Sequence, residues 1–380
     1  MSTAFPPVPA ADLPLDTVLL NLGPQHPSTH GVLRLKVTLR GERALAVEPV
    51  IGYGHRAHEN MAENRTYAQF YPNPSRQDYL GGVIYSVAWA EAVEKLANIE
   101  VPERAKVARV ILSEFNRLYS HILWIGFFLH DLGAVTPLVY SFEDREAILN
   151  LLESVTGSRL TYCTARFGGL SQDLDPDFPR RAREVLAKVK ARWPEFEDLI
   201  DGNPIYLERA KNVGIFPLET MRSYGVTGPS LRAAGVPYDV RKVEPYGVYS
   251  RYEFEVPTME LSDCYVRYMV RVREVRQSVR IIEQALDALP DGPIITKPGL
   301  GSKFRLKPPV GTVYHAVESP RGQYGILIVS EGGTEPYRAK FRTPSYANLQ
   351  LMVDAMPGNF IADVIAILGS IDIIVPEVDR

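Results

Sequence analysis

The stretch between residues 102 and 133 restricts the possible folds of this chain more than any other. Pro102 suits the first position of a helix, where no backbone N–H is needed. Ala108, Ile111, Leu112, Phe115, Leu118, Ile122 and Trp124 or Ile125 then keep helical spacing until Asp131-Leu132-Gly133. The spacing predicts the longest helix of the molecule and puts it at the centre. Its apolar run at residues 122–129 is the longest in the chain and is bounded by His121 and His130-Asp131. A bilayer span needs about 20 such residues, so the chain is expected to be soluble, or peripheral to a membrane through other subunits.

Around that helix the pattern predicts an α+β chain, mainly α. Residues 17–20 and the alternating Leu33, Leu35, Val37 and Leu39 read as strands joined through residues 21–31, with 44–47 as a third strand of a small N-terminal sheet. Residues 52–65 read as a loop entering a polar helix that Pro72 and Pro74 end. Residues 78–98 read as a helix whose small residues, Gly81, Gly82, Ala88, Ala90 and Ala92, let neighbours approach closely. Ser141 with Asp144 looks like a capping box for a helix stopped by Gly157, and residues 182–199 form an amphipathic helix interrupted by Pro194. Residues 205–257, rich in Gly, Pro and Tyr, show no clear period, which suggests either function or an extended surface for another subunit.

Residues 262–289 predict a long helix with Met269, Val272, Val275, Val279, Ile282 and Leu286 inward. Arg267, Arg271, Arg273, Arg276 and Arg280 lie around its other side, a face that is either solvated or docks an acidic partner. Strands at 312–318, 324–329 and 337–342 make a second small antiparallel sheet, and short helices near 346–355 and 360–368 lead to the C-terminal tail. Residues 1–16 lack the basic start and apolar run of a secretory signal and read as a flexible tail. Residues 17–380 read as a single domain, with the N-terminal sheet in 17–54, a helical core in 55–300 and the C-terminal sheet in 309–343.

A net charge of −3 and a pI near 6.2 argue against a nucleic-acid binder, which needs clustered Lys and Arg. The two cysteines, Cys163 and Cys264, supply no disulfide framework and cannot ligate an iron–sulfur cluster through four thiolates. The histidines of residues 21–31, His26 and His30, sit with Ser28 and Thr29 in a loop stiffened by glycines and prolines. They suit proton chemistry, or they hydrogen-bond the loop backbone. With His55, His58, Glu59 and Glu63 they could in principle hold a metal. However, His55 and His58 are three apart rather than four, and nothing later supplies a partner set, so no metal site is assigned. Gly23, Gly31, Gly52 and Gly54 make no dinucleotide fingerprint, so the chain is not expected to bind NADH itself. Asp78 reads as a helix cap, and Asp131 as a helix-end carboxylate meeting solvent or a lysine.

The strings GPQHPSTHGVLRL (Gly23 to Leu35), IGYGHRAHENMAENRTY (Ile51 to Tyr67), RQDYL (Arg76 to Leu80), SLRAAGVPYDVRK (Ser230 to Lys242), ESPRGQYG (Glu318 to Gly325), YRAKFRTPSYANL (Tyr337 to Leu349) and the terminal EVDR stand in order along the chain. Together they resemble the family of the quinone-site D subunit of respiratory complex I, the proton-translocating NADH:quinone oxidoreductase. That family is itself similar to the large subunit of nickel–iron hydrogenases.

The resemblance implies a subunit peripheral to the cell membrane on its cytoplasmic side. It would pack against other peripheral-arm subunits, above all the one carrying the terminal [4Fe–4S] cluster, and against membrane-arm subunits. Quinone would be the substrate, and no cofactor would be ligated by this chain. His30 and Tyr79 would hydrogen-bond the two ends of the quinone headgroup, Asp131 would pair with His30, and Arg56 and Arg166 would lie beside the partner's cluster. An imidazole near pKa ~6.5 and a phenol near ~10 are suitable donors for the two protons of quinone reduction. The chain lacks the two CxxC pairs with which the hydrogenase relatives hold nickel. It departs from the family at Thr161, where many members carry histidine, and in GYGHRAHEN and YPNPSRQDY, which vary the commoner forms. A non-catalytic scaffold of a hydrogenase-related membrane complex is the alternative.

Overall fold

Alternating apolar residues build the first sheet in the computed structural model, which describes residues 16–24, 31–296 and 306–380. Strands β1 (Thr17–Leu22), β2 (Arg34–Arg40) and β3 (Arg43–Val50) pair antiparallel in that order, with Leu22 opposite Leu35. Leu35, Val37 and Leu39 of β2 point inward together with Leu33. The expected hairpin is present. Its tip at residues 25–30, including His26 and His30, lies outside the described residues.

The polar stretch that follows forms three short helices, α1 (His58–Glu63), α2 (Tyr67–Phe70) and α3 (Pro74–Gln77). Pro74 opens α3 rather than ending a longer helix, because its fixed φ suits a first turn. Helix α4 (Gly82–Ala97) starts later than the pattern predicted, and residues 78–81 form a turn instead. Helix α5 (Glu103–Asp131) is the longest helix among the described residues, with Pro102 in extended conformation as its N-cap. It packs against α6 (Val135–Thr156) along one side, and Trp124 Nε1 donates to Gly369 O at 2.8 Å on another. Ser141 is not a cap: it lies inside α6 and its hydroxyl donates to Leu138 O at 2.7 Å. Gly157 ends α6 at φ +68°, as expected of a left-handed glycine stop.

The two-residue strands β4 (Ala165–Arg166) and β5 (Gly169–Leu170) precede α7 (Phe178–Asp201), which carries Pro194 without breaking. Short helices α8 (Pro204–Ala210), α9 (Leu218–Ser223), α10 (Pro229–Arg232) and α11 (Val240–Val243) fill the region that showed no period. Helix α12 (Cys264–Asp287) crosses α5. Its arginines divide: Arg273, Arg276 and Arg280 are exposed, whereas Arg267 and Arg271 are wholly buried, so the arginine face is not one solvated or docking surface. The second sheet pairs β6 (Gly311–Ser319), β7 (Gly322–Ser330) and β8 (Arg338–Arg342) antiparallel. Helices α13 (Pro344–Ala355), α14 (Ile361–Ile371) and α15 (Val375–Asp379) complete the described chain. The architecture is mainly helical with small antiparallel sheets, and one continuous apolar core runs from Leu33 to Val378. Among the described residues no helix is long and apolar enough to cross a membrane.

Candidate functional site

The C-terminal half of α5 carries a stripe at a spacing of four: Tyr119, Leu123, Phe127 and Asp131. On a helix such residues share one face, and here that face is one wall of a cleft. The turn before α4 adds Tyr79 and Leu80, α6 adds Phe142 and Arg145, and the segment after α14 adds Asp372, Ile373 and Ile374. The cavity measures about 450 Å³, in the range of small-molecule sites, and its walls are mostly apolar and aromatic. A larger cavity of about 740 Å³ lies between α4 and residues 244–247, but charged residues such as Glu91, Lys95 and Glu103 line it, which suits an apolar ring poorly.

Tyr79 and Asp131, far apart in sequence, therefore face the same cleft. Burial raises the Tyr79 phenol pKa against the opposing pull of Arg321, so Tyr79 remains a protonated hydrogen-bond donor at neutral pH. Though 36 % exposed, Tyr79 opens into a concave cleft walled by protein. Asp131 is half-buried at the end of α5, near Gly369 of α14. His30 itself is outside the described residues. Its neighbour Gly31 approaches Val375, next to the cleft-lining Ile374: a Cβ on Gly31 would lie 3.7 Å from Val375 Cγ2.

Behind Tyr79 the cleft floor is ionic. Asp78 is no helix cap: Leu80 N and Gly81 N donate to its Oδ1 at 3.0 and 2.9 Å, and its Oδ2 accepts from Arg321 Nη1 at 2.8 Å. A side chain at Gly81 would meet Asp78 Oδ2 at 2.5 Å, so glycine is what lets this turn aim the carboxylate inward. Arg321 Nη2 also donates to Asp372 Oδ1 at 3.2 Å, which joins the floor to the cleft wall. The Arg271 guanidinium stacks 4.1 Å over the Trp124 ring, and burial lowers its pKa to about 10. Sequence reasoning missed Tyr119, Arg145, Arg321 and Asp372. The spacing of four along α5 ending on Asp131 was the signal that could have found Tyr119.

Arg56 and Arg166 sit on other elements. Arg56 is exposed in the loop before α1, and Asp379 braces that loop by accepting from Gly52 N at 2.8 Å and Gly54 N at 2.6 Å. Arg166, half-buried in β4, lies 5.4 Å over the Tyr71 ring and donates to Ala165 O at 2.8 Å. Glu59 and Glu63, weighed as metal ligands, both pair with Arg338, at 2.9 and 2.6 Å. Among the described residues no cluster of three His, Cys, Asp or Glu is arranged to hold a metal.

Residues 131–380 match the family model of the 49 kDa subunit of the respiratory-chain NADH dehydrogenase. The chain is 51 % identical over 361 residues to the D subunit of the NADH-quinone oxidoreductase of Syntrophobacter fumaroxidans, covering 95 % of this chain and 96 % of that one. It is 50 % identical over 369 residues to the corresponding chain of Desulfotalea psychrophila, covering 97 % and 98 %. With that of Dehalococcoides mccartyi strain 195 it shares 48 % over 366 residues, covering 96 % and 99 %.

Proposed function

This chain belongs to the family of the 49 kDa, or D, subunit of NADH-quinone oxidoreductase, and on that footing we propose that its cleft is where the complex reduces quinone. The carrying observation is the convergence of Tyr79 and Asp131 on one apolar cavity. A planar, conjugated quinone headgroup suits the aromatic walls, and its carbonyl oxygens need hydrogen-bond donors. Tyr79, held protonated by burial, donates to one carbonyl. His30 donates to the other, and Asp131 pairs with its imidazole and favours the cation.

Reduction adds two electrons and two protons, and breaking the Tyr79 O–H and a His30 N–H forms the two O–H bonds of the quinol. The electrons come from a [4Fe–4S] cluster in a neighbouring subunit, with Arg56 and Arg166 beside it, where positive charge raises its reduction potential. The same reading makes residues 17–380 one domain built like the large subunit of nickel–iron hydrogenases. It also puts the chain on the cytoplasmic side of the cell membrane, in a complex that couples quinone reduction to proton translocation.

Tyr79→Phe and Asp131→Asn in the assembled complex test the reading. Each is expected to lower quinone turnover by about 10²-fold or more, in the range of a lost proton donor, while NADH still reduces the partner's cluster. Full quinone turnover in both variants would refute it. A photolabelling quinone analogue separates this enzyme from a scaffold: attachment at the cleft supports the site, and attachment on other subunits alone supports the scaffold.

A further inference from the structure

Three carboxylates, Asp78, Asp372 and Glu377, surround the single guanidinium of Arg321, and all four side chains are buried. Their partners differ in kind. Asp78 accepts from two backbone N–H groups and from Arg321, all pure donors. Asp372 accepts from Arg321 and lies 3.9 Å from Arg271. Among the described residues Glu377 is hydrogen-bonded only by hydroxyls, Tyr85 Oη at 2.5 Å on Oε1 and Ser345 Oγ on Oε2. A hydroxyl accepts as readily as it donates, so Glu377 can carry a proton without losing a hydrogen bond.

Its position is equally specific. Ile373 and Ile374, just before α15, line the proposed quinone cleft. Val378, Asp379 and Arg380, at the end of α15, line a second cavity of about 470 Å³ on the outer side, beside Tyr346. Glu377 is flanked along the chain by Ile374 of the one lining and Val378 of the other, and Ser345 Oγ, which donates to it, also accepts from Ile374 N at 3.2 Å.

We propose that Glu377 is a proton relay between the outer cavity and the quinone cleft. This rests on the quinone-site reading and assigns one more residue to it. Within each turnover the Glu377 O–H breaks and the proton restores an O–H or N–H emptied in the cleft. Glu377, left as the carboxylate, is then reprotonated from the outer cavity. The two electrons still come from NADH through the partner subunits, so the relay moves protons only. The charged and titratable groups facing Glu377 are Tyr85 of α4, Tyr324 of β7, Arg342 of β8, Asp78 and Arg321. Burial, aided by Asp78 and opposed by Ser345, Tyr85 and Arg321, pushes the Glu377 carboxyl up to about 7, which suits a group that loads and unloads near neutral pH.

The test uses the assembled complex with Glu377→Gln, which keeps shape and neutrality but cannot release a proton, and with Glu377→Asp as the rescue. Expected are a quinone turnover lowered at least about tenfold, a larger solvent deuterium isotope effect, and partial recovery in Glu377→Asp. Infrared difference spectra between oxidised and reduced complex should show a carboxylic-acid C=O band that Glu377→Gln removes. Should Glu377→Gln fail to assemble, Ser345→Ala serves instead, because losing one hydrogen bond must shift that band. Wild-type turnover and isotope effect in Glu377→Gln, or an unmoved band in either variant, would overturn the relay. A quinone analogue that labels the cleft while Glu377→Gln behaves as wild type defeats the relay alone; an analogue that does not label the cleft defeats the site itself.

Discussion

His121 shows at the scale of one residue what burial does to chemistry. It sits wholly buried in mid-α5, its Nε2 2.9 Å from Glu274 Oε2 but not aligned for a hydrogen bond. Burial lowers its pKa to about 4 despite the pull of Glu274. Burial also pushes Glu274 up, but Arg232 and His121 outweigh it and hold that carboxyl well below its usual range. The unfolded chain, with His121 near its ordinary 6.5, takes up a proton that the folded chain refuses. Folding is therefore favoured above pH 6.5 and loses up to roughly 3 kcal/mol from this group as pH falls to about 4. Melting curves of the subunit in the complex across that interval are expected to flatten in His121→Asn; an unchanged slope would assign the acid sensitivity elsewhere. His121 entered the sequence reading only as the boundary of an apolar run. Nothing in its neighbours in sequence told of Glu274 on α12.

At the scale of elements, short pieces fix the positions of long ones. Helix α15 has five residues, too few to be stable alone, yet it runs from the edge of one cavity to the wall of the other and, through Asp379, braces the loop that carries Arg56. Asp379→Ala removes both carboxylate contacts to Gly52 N and Gly54 N, each worth about 1.5–3 kcal/mol when charge-assisted. Amide exchange of residues 52–56 is expected to speed up at least about tenfold, with α4 and α5 unaffected; unchanged protection there would mean that the loop is held by other contacts. The period of apolar residues made the long helices legible, because a 3.6-residue repeat needs no knowledge of partners. It misplaced the start of α4, where Asp78 folds back onto Leu80 N and Gly81 N, and read a capping box inside α6. Both errors arise where a polar side chain bonds to a backbone group two or three residues away, which apolar periodicity does not register.

Across the whole molecule the core is crossed by a buried ionic array. Arg241 pairs with Asp239 at 2.6 Å and Glu114 at 3.1 Å, and Arg232 pairs with Glu274 and Glu318 at 2.7 Å each. These pairs tie α5, α10, α11, α12 and β6 together, elements that stand far apart along the chain. Arg232→Leu would leave Glu274 and Glu318 buried without this cation, at about 3–5 kcal/mol, a large part of the 5–15 kcal/mol that usually holds a domain together. The variant is expected not to accumulate in the complex; wild-type levels and an unshifted melting point would show that the array is dispensable. A buried arginine on an amphipathic helix has the same one-dimensional pattern as an exposed one, which is why Arg271 was grouped with Arg273.

The chain's own order of residues determined its long helices and its two three-stranded sheets, the family to which its motifs belong, and the candidacy of Tyr79 and Asp131, because periodicity and motif are local properties. The tertiary structure decided that these two side chains share one cavity, that Asp78 and Asp372 meet across Arg321, and that Glu377 is buried between the hydroxyls of Tyr85 and Ser345. Those facts depend on contacts between residues 32 to 292 positions apart, where burial removes water and makes each charge answer to its neighbours rather than to solvent.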